Sequence, residues 1–124
     1  MNRRSAWLIA GLTAVALPAA AHHSFAIYDM TQNVEFDGVV EVVKLRNPHM
    51  ALTLVQTKPD GTKETINFVE GAPANMIVRM GLNPADVAAG KPIKAIGAPR
   101  RDDANAYFLK VIILPDGRRF SVIN

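Results

Sequence analysis

The chain has 124 residues, with 14 Lys and Arg, 11 Asp and Glu, 3 His and no Cys. This length fits one domain, and a hydrophobic content of 49% argues against a disordered chain. The absence of cysteine excludes disulfide scaffolds, Cys-ligated zinc, iron–sulfur clusters and thiol nucleophiles, so a metal would have to be held by His, Met, carboxylate or backbone groups.

The first segment has the layout of a secretory signal peptide. Two arginines near the start precede an apolar run of 12 residues over 6–17, and a series of small residues ends at Ala21. As a helix this run spans about 18 Å, which is too short for a bilayer core of about 30 Å. The pattern predicts a cleavable signal peptide over 1–21 and a periplasmic protein that starts at His22, with no membrane anchor after cleavage. Cleavage after Ala20 is the alternative.

Removal of this segment changes the charge balance. It takes 21 of the 124 residues and two arginines, which leaves 103 residues with 12 basic and 11 acidic side chains. A chain this close to neutral lacks the excess of basic side chains that nucleic-acid binding needs, because such binding requires several phosphates to be neutralised at once. We therefore expect a mature amino-terminal segment over 22–33, a single domain over 34–124, and no nucleic-acid partner.

The remaining sequence alternates in the manner of β-strands and contains one short helical stretch. β-branched residues dominate the first strand, in which Gly38 is a natural place for a bulge or bend. Pro73 opens the helical stretch, where Met76, Ile77 and Met80 have the spacing of a buried stripe. The predicted elements are, in chain order, strands over 34–45, 50–57 and 64–69, a helix over 73–80, a helical turn over 83–87, and strands over 92–98, 106–114 and 118–123.

This order of elements indicates the fold class. Three strands, one short helix and two or three further strands predict a mainly β chain that forms a small OB-like Greek-key barrel of five to six strands, with the helix between strands 3 and 4. An open sandwich built from the same strands is the alternative.

The three histidines fall in two places, with His22 and His23 at the predicted mature start and His49 after the first strand. If cleavage follows Ala21, the α-amine and Nδ1 of His22 can chelate one ion, and His49 can add a third nitrogen. An all-nitrogen histidine brace of this kind suits Cu(II). If cleavage follows Ala20, the amine, two amides and the His23 imidazole form an amino-terminal Cu(II) site instead. The opposing interpretation is a disordered polar start and a His49 that only packs or hydrogen-bonds.

Other side chains offer less chemistry. His49 and Met50 point to opposite faces of a strand, so they do not easily hold one ion together. Ser24 lies next to His23, but sequence neighbours do not establish a nucleophile with its base. The acidic residues, Glu70 among them, lack a helix-spaced pair, and most are expected to be solvated strand positions. The residues therefore favour a binding protein over an enzyme.

Several short motifs resemble a known family. Ala-His-His-Ser-Phe at 21–25 follows the signal peptide, Asn-Pro-His at 47–49 follows the first strand, Glu70 and Gly71 precede the helix, and Asp-Gly occurs late at 116–117. Together they resemble a family of small exported bacterial proteins known as a domain of unknown function. The resemblance covers nearly all of the mature chain. It implies a secreted β-barrel and leaves the activity open.

Two functions fit these observations. The first is a periplasmic copper-binding module that acts as a carrier, a buffer or an accessory to a larger periplasmic oxidoreductase, with His22 and His49 as ligands and His23 as an alternate ligand. The second is a metal-free barrel that binds a partner protein or a small molecule on its sheet face. Loss of the histidines distinguishes the two, because only the metal module depends on these side chains.

Overall fold

The computed structural model describes residues 23–121, with side chains described from residue 25 onward. The predicted signal peptide and His22 lie outside the described residues. None of the helices within 23–121 has the length and apolar character needed to cross a membrane. The elements are α1 (His23–Ala26), β1 (Val34–Lys44), β2 (Ala51–Thr57), β3 (Lys63–Glu70), α2 (Ala74–Arg79), a 3₁₀ turn (Pro84–Val87), β4 (Pro92–Pro99), β5 (Ala106–Ile113) and β6 (Arg119–Ser121).

The six strands form one sheet that closes on itself. Its order is β3-β2-β1-β4-β5-β6, and β3 also pairs in parallel with the first half of β5. That pairing closes a five-stranded barrel, while β6 pairs with the second half of β5 and extends the sheet. Since α2 lies between β3 and β4, the predicted OB-like Greek-key barrel is confirmed.

The interior of the barrel is apolar throughout the described residues, and no polar or charged side chain among them is fully buried. The Phe68 ring lies at its centre and contacts the rings of Phe36 and Tyr107, with centroids 6.0 and 5.8 Å away. β5 is buried on both faces along most of its length, as its apolar run predicts. The core therefore rests on the burial of hydrocarbon surface. Its largest fully buried side chains include Met50, Leu54, Ile66, Phe68, Ile77, Leu82, Leu109 and Ile112.

The first strand is irregular, and its bulge lies at Glu41 and not at Gly38, where the sequence predicted a bulge or a bend. The register of β1 against β2 shifts between Val40 and Val42, so the extra residue is Glu41. The extra residue changes which alternate positions of β1 face the core. Val40 is therefore buried, whereas Val42, two positions later, is exposed. Gly38 is instead a point of close approach, where a Cβ atom would lie 2.8 Å from the Val55 carbonyl oxygen.

The predicted buried stripe on α2 is only partly correct. Ile77 is fully buried, but Met76 and Met80 are 42% and 44% exposed. Ala74 is the other buried residue of this helix. Each residue turns an α-helix by about 100°, so Met76 lies about 160° from Ala74 and 100° from Ile77 around the axis and points away from the buried strip. Met80 follows the last helical residue, as the C-cap, and faces solvent.

The segment that precedes β1 is fastened to the barrel. The Tyr28 side chain is buried, and its ring packs edge-on against Phe108 with the centroids 5.5 Å apart. The Lys110 ammonium donates hydrogen bonds to the backbone and side chain of the segment over 30–33, the shortest being 2.6 Å to Asn33 Oδ1. These contacts position the amino-terminal part of the described chain against β5.

Candidate functional site

His49 lies in the turn between β1 and β2, where this turn packs against the connection from β3 to α2. The Met50 amide donates to the Ala72 carbonyl at 2.9 Å, and Nε of Arg46 donates to the His49 carbonyl at 3.2 Å. The Nδ1 atom of His49 lies 3.1 Å from the Gly71 carbonyl oxygen. Because a carbonyl oxygen only accepts, Nδ1 carries a hydrogen, and in the neutral ring Nε2 retains its lone pair.

Glu70, the last residue of β3, faces this imidazole. Its Oε1 lies 3.4 Å from Nε2 of His49, and the glutamate side chain is only 15% exposed against 46% for the histidine. Its other oxygen, Oε2, accepts a hydrogen bond from the Tyr28 hydroxyl at 3.1 Å. The carboxylate is thus held between an imidazole and a phenol. We refer to His49, Glu70 and Tyr28 as the His–Glu–Tyr cluster.

The electrostatics of the cluster fix the direction of the phenol hydrogen bond. Burial raises the pKa of Tyr28 to about 12, and the negative charge of Glu70 adds to the rise. The phenol therefore remains protonated across the neutral range and donates to Oε2 of the carboxylate. Oε1, which faces Nε2 of His49, is left free of that bond.

The amino-terminal helix lies next to the same part of the barrel. The Phe25 ring packs on Phe108 with the centroids 5.4 Å apart, and Phe108 is paired in register with Glu70 across β3 and β5. The described part of α1 therefore lies beside the end of β3.

The predicted metal ligands are described to different extents. His49 belongs to the His–Glu–Tyr cluster. His23 begins α1, but its side chain lies outside what the structure describes, and His22 lies outside the described residues altogether. Among the side chains that the structure describes, no three His, Asp or Glu residues form a group that could hold a metal ion. The cluster provides two donors of this type, His49 and Glu70.

Sequence reasoning assigned no role in a site to Glu70 or Tyr28. Glu70 occurs in the Glu-Gly pair of the family resemblance, and the alternation along β3 puts it on the same face as the buried Ile66 and Phe68 at the end of the strand. Tyr28 gives no comparable signal, because its contact with Glu70 joins residues 42 positions apart. The contact of Glu70 with His49 forms where the β1–β2 turn meets the end of β3, and its contact with Tyr28 forms where the amino-terminal segment packs on the barrel.

A second feature lies on the outer face of β1, β2 and β3. It is an open cleft of about 220 Å³ that runs across the three strands. Two exposed valines, Val42 and Val69, belong to its lining, together with the basic side chains of Lys44 and Arg46. The face therefore combines apolar and cationic contacts.

The fold and the cluster define a small OB-like β-barrel with a histidine–carboxylate pair beside its amino-terminal helix. The chain belongs to the family of unknown function DUF6152, which matches residues 10–108. This membership confirms the resemblance to an uncharacterised family. No curated protein and no solved structure matches the chain.

Proposed function

We propose that the protein is an exported, periplasmic barrel that binds copper and acts as a non-catalytic carrier or buffer. The proposed ligands are the α-amine and Nδ1 of His22 and Nε2 of His49. His23 is the alternate ligand if the chain begins at Ala21. A larger periplasmic oxidoreductase is the class of partner that such a carrier would supply.

The geometry of His49 is the observation that carries this proposal. Histidines that bind metals in proteins almost always donate their second ring nitrogen to a carbonyl, a carboxylate or water, which fixes the tautomer and the orientation of the ring. Here Nδ1 is paired with the Gly71 carbonyl at 3.1 Å, and the half-exposed ring has Nε2 available.

The anchoring of the amino-terminal helix is further support. Because Phe25 packs on Phe108, and Phe108 pairs with Glu70, α1 lies close to the end of β3, which faces His49. Nitrogen ligands of this kind favour Cu(II), which lies at the top of the divalent affinity order. An amine must lose its proton to bind, so the affinity should fall as the pH drops below the amine's reference pKa of about 8.

A Cu(II) titration of the exported and processed protein tests the proposal. We expect one Cu(II) per chain, with a d–d absorption band that saturates at one equivalent, and much weaker binding by the His49→Ala variant. Gln56→Ala is the matched control, because Gln56 lies near the other end of β2. Equal binding by the wild-type protein and His49→Ala would refute the proposal.

A metal-free binding module is the second candidate, and the open cleft on β1, β2 and β3 favours it. Its exposed valines and its basic pair, Lys44 and Arg46, would suit a partner or small molecule with apolar and anionic groups. Binding of this kind should survive loss of the histidines. It should weaken instead when Lys44 and Arg46 are replaced together by Gln.

A further inference from the structure

We infer that the open cleft on β1, β2 and β3 binds a small aliphatic carboxylate, whose charged end lies between Lys44 and Arg46 and whose chain lies between Val42 and Val69. The inference rests on the second candidate function, the metal-free binding module, and names the class of ligand that this module would take. It needs no metal ion and uses only residues that the structure describes.

The charge of the cleft is the first argument. Lys44 and Arg46 both line it, both are exposed, and their Cα atoms are about 7 Å apart, because they stand two positions apart in extended chain. Within the described residues neither side chain forms an ion pair, and the lining of the cleft contains no Asp or Glu. Two cations at this spacing attract an anion and repel each other in its absence. Several other basic side chains are already neutralised by Asp or Glu, namely Lys58, Lys94, Arg100, Arg101 and Arg118.

The β1–β2 turn orients the guanidinium of Arg46. Its Nε donates to the His49 carbonyl oxygen at 3.2 Å, and among the described residues the two Nη atoms have no partner. Two Nη atoms side by side match the two oxygens of a carboxylate, and bidentate pairs of this kind are among the stronger ion pairs. Because the turn already holds the guanidinium, less conformational freedom is lost when a ligand binds.

The middle of the cleft suits a short hydrocarbon chain. Its floor is formed by the small side chains of Ala51 and Thr53 on the central strand, β2. Val42 on β1, which pairs in register with Thr53, and Val69 on β3 line the two sides, and both valines are exposed. A hydrocarbon chain between these valines would remove their apolar surface from water, which favours binding.

The size of the cleft limits the ligand. Its volume of about 220 Å³ is about seven times the roughly 30 Å³ that one water molecule occupies in the liquid. The cleft therefore holds a ligand of about seven or eight non-hydrogen atoms, which is the size of hexanoate. Sites for drug-sized ligands begin at about 300 Å³, and stable protein interfaces bury at least about 1,200 Å². A small carboxylate fits this volume better than a protein segment does.

Titration of the exported and processed protein with hexanoate tests the inference, followed by two-dimensional NMR spectra of the backbone amides. Lys44→Gln removes one cation, and Arg79→Gln is the matched control, because Arg79 is an exposed basic residue of α2 outside the cleft. Val69→Ser shortens one apolar side, and Val39→Ser is its control, because Val39 is similarly exposed but does not line the cleft. Arg46 is left unchanged, since it also binds the β1–β2 turn. Thermal melts check that each variant folds.

We expect hexanoate to bind with a Kd on the order of a millimolar and to shift the amide signals of residues that line the cleft. Lys44→Gln should weaken binding about three- to ten-fold and Val69→Ser about three-fold, whereas the two controls should bind as the wild-type protein does. Hexanol lacks the charge and acetate lacks the chain, so each should bind about ten-fold more weakly than hexanoate. Equal affinity in Lys44→Gln and Arg79→Gln would overturn the inference, and so would equal binding of hexanol and hexanoate.

A second probe separates failure of the inference from failure of the candidate function. It is a synthetic peptide in which glutamate and valine alternate. If this peptide shifts the same signals with an affinity about ten-fold higher than that of hexanoate, the cleft binds a protein segment, and the inferred small ligand is wrong while the binding module stands. If neither probe shifts these signals, the candidate function is overturned as well. Neither result bears on the copper titration.

Discussion

The contrast between Ile77 and Met76 on α2 gives a direct test of the packing. Ile77 is fully buried in the main core, whereas the adjacent Met76 is 42% exposed. Truncation of a buried Ile to Ala typically costs about 2–5 kcal/mol, which combines lost hydrocarbon burial with the cavity left behind. Truncation of a half-exposed Met leaves no closed cavity, so Met76→Ala should cost about 1 kcal/mol or less.

Urea unfolding followed by far-ultraviolet circular dichroism measures both changes in the free energy of unfolding. Circular dichroism is the suitable probe, because Trp7, the single tryptophan, belongs to the predicted signal peptide. For a domain of about 100 residues, Ile77→Ala should lower the melting temperature by roughly 10 °C or more. Equal losses for Ile77→Ala and Met76→Ala would refute the described orientation of α2 and restore the buried stripe expected from the sequence.

Three further predictions concern the strands and the amino-terminal segment. Gly97→Ala should destabilise the protein by about 1–3 kcal/mol, because its Cβ would lie 2.7 Å from a ring carbon of Phe68, and chemical denaturation should show the loss. Lys110→Met should increase amide hydrogen exchange over 30–33, since it removes the ammonium that binds that segment, while exchange in β2 should not change. The pKa of Tyr28 is about 12 in the folded protein against an ordinary value of 10.0, so its contribution to stability is complete below pH 10 and is lost as the pH rises towards 12. In thermal melts over a pH series, Tyr28→Phe should therefore lose less stability at alkaline pH than the wild-type protein.

Much of the barrel was predictable, because its signals are local. Alternating side chains mark β2 and β3, while Pro73 precedes α2 and Gly81 follows it. The order of these elements then leaves few ways to close a sheet. The bulge at Glu41, which changes the side chains of β1 that face the core, was not predictable. A bulge depends on how two strands pair with each other and not on the residues of one strand.

The candidate site was predictable only in part. His49 could be found because histidine is rare in this chain and its imidazole is a metal ligand by chemical type. Glu70 could not be separated from the other acidic residues, because its burial and its distance to Nε2 depend on the β3–α2 connection packing against the β1–β2 turn. Tyr28 required the amino-terminal segment to fold back onto β5, which nothing in its own sequence neighbourhood specifies.

The most direct test of the proposed function is the intact mass of the protein after export, recorded under native conditions with one equivalent of Cu(II). The proposal predicts a chain that begins at His22, or at Ala21, and a single bound copper that is lost from the His49→Ala variant. A chain that retains residues 1–21, or one that binds copper equally well without His49, would contradict it.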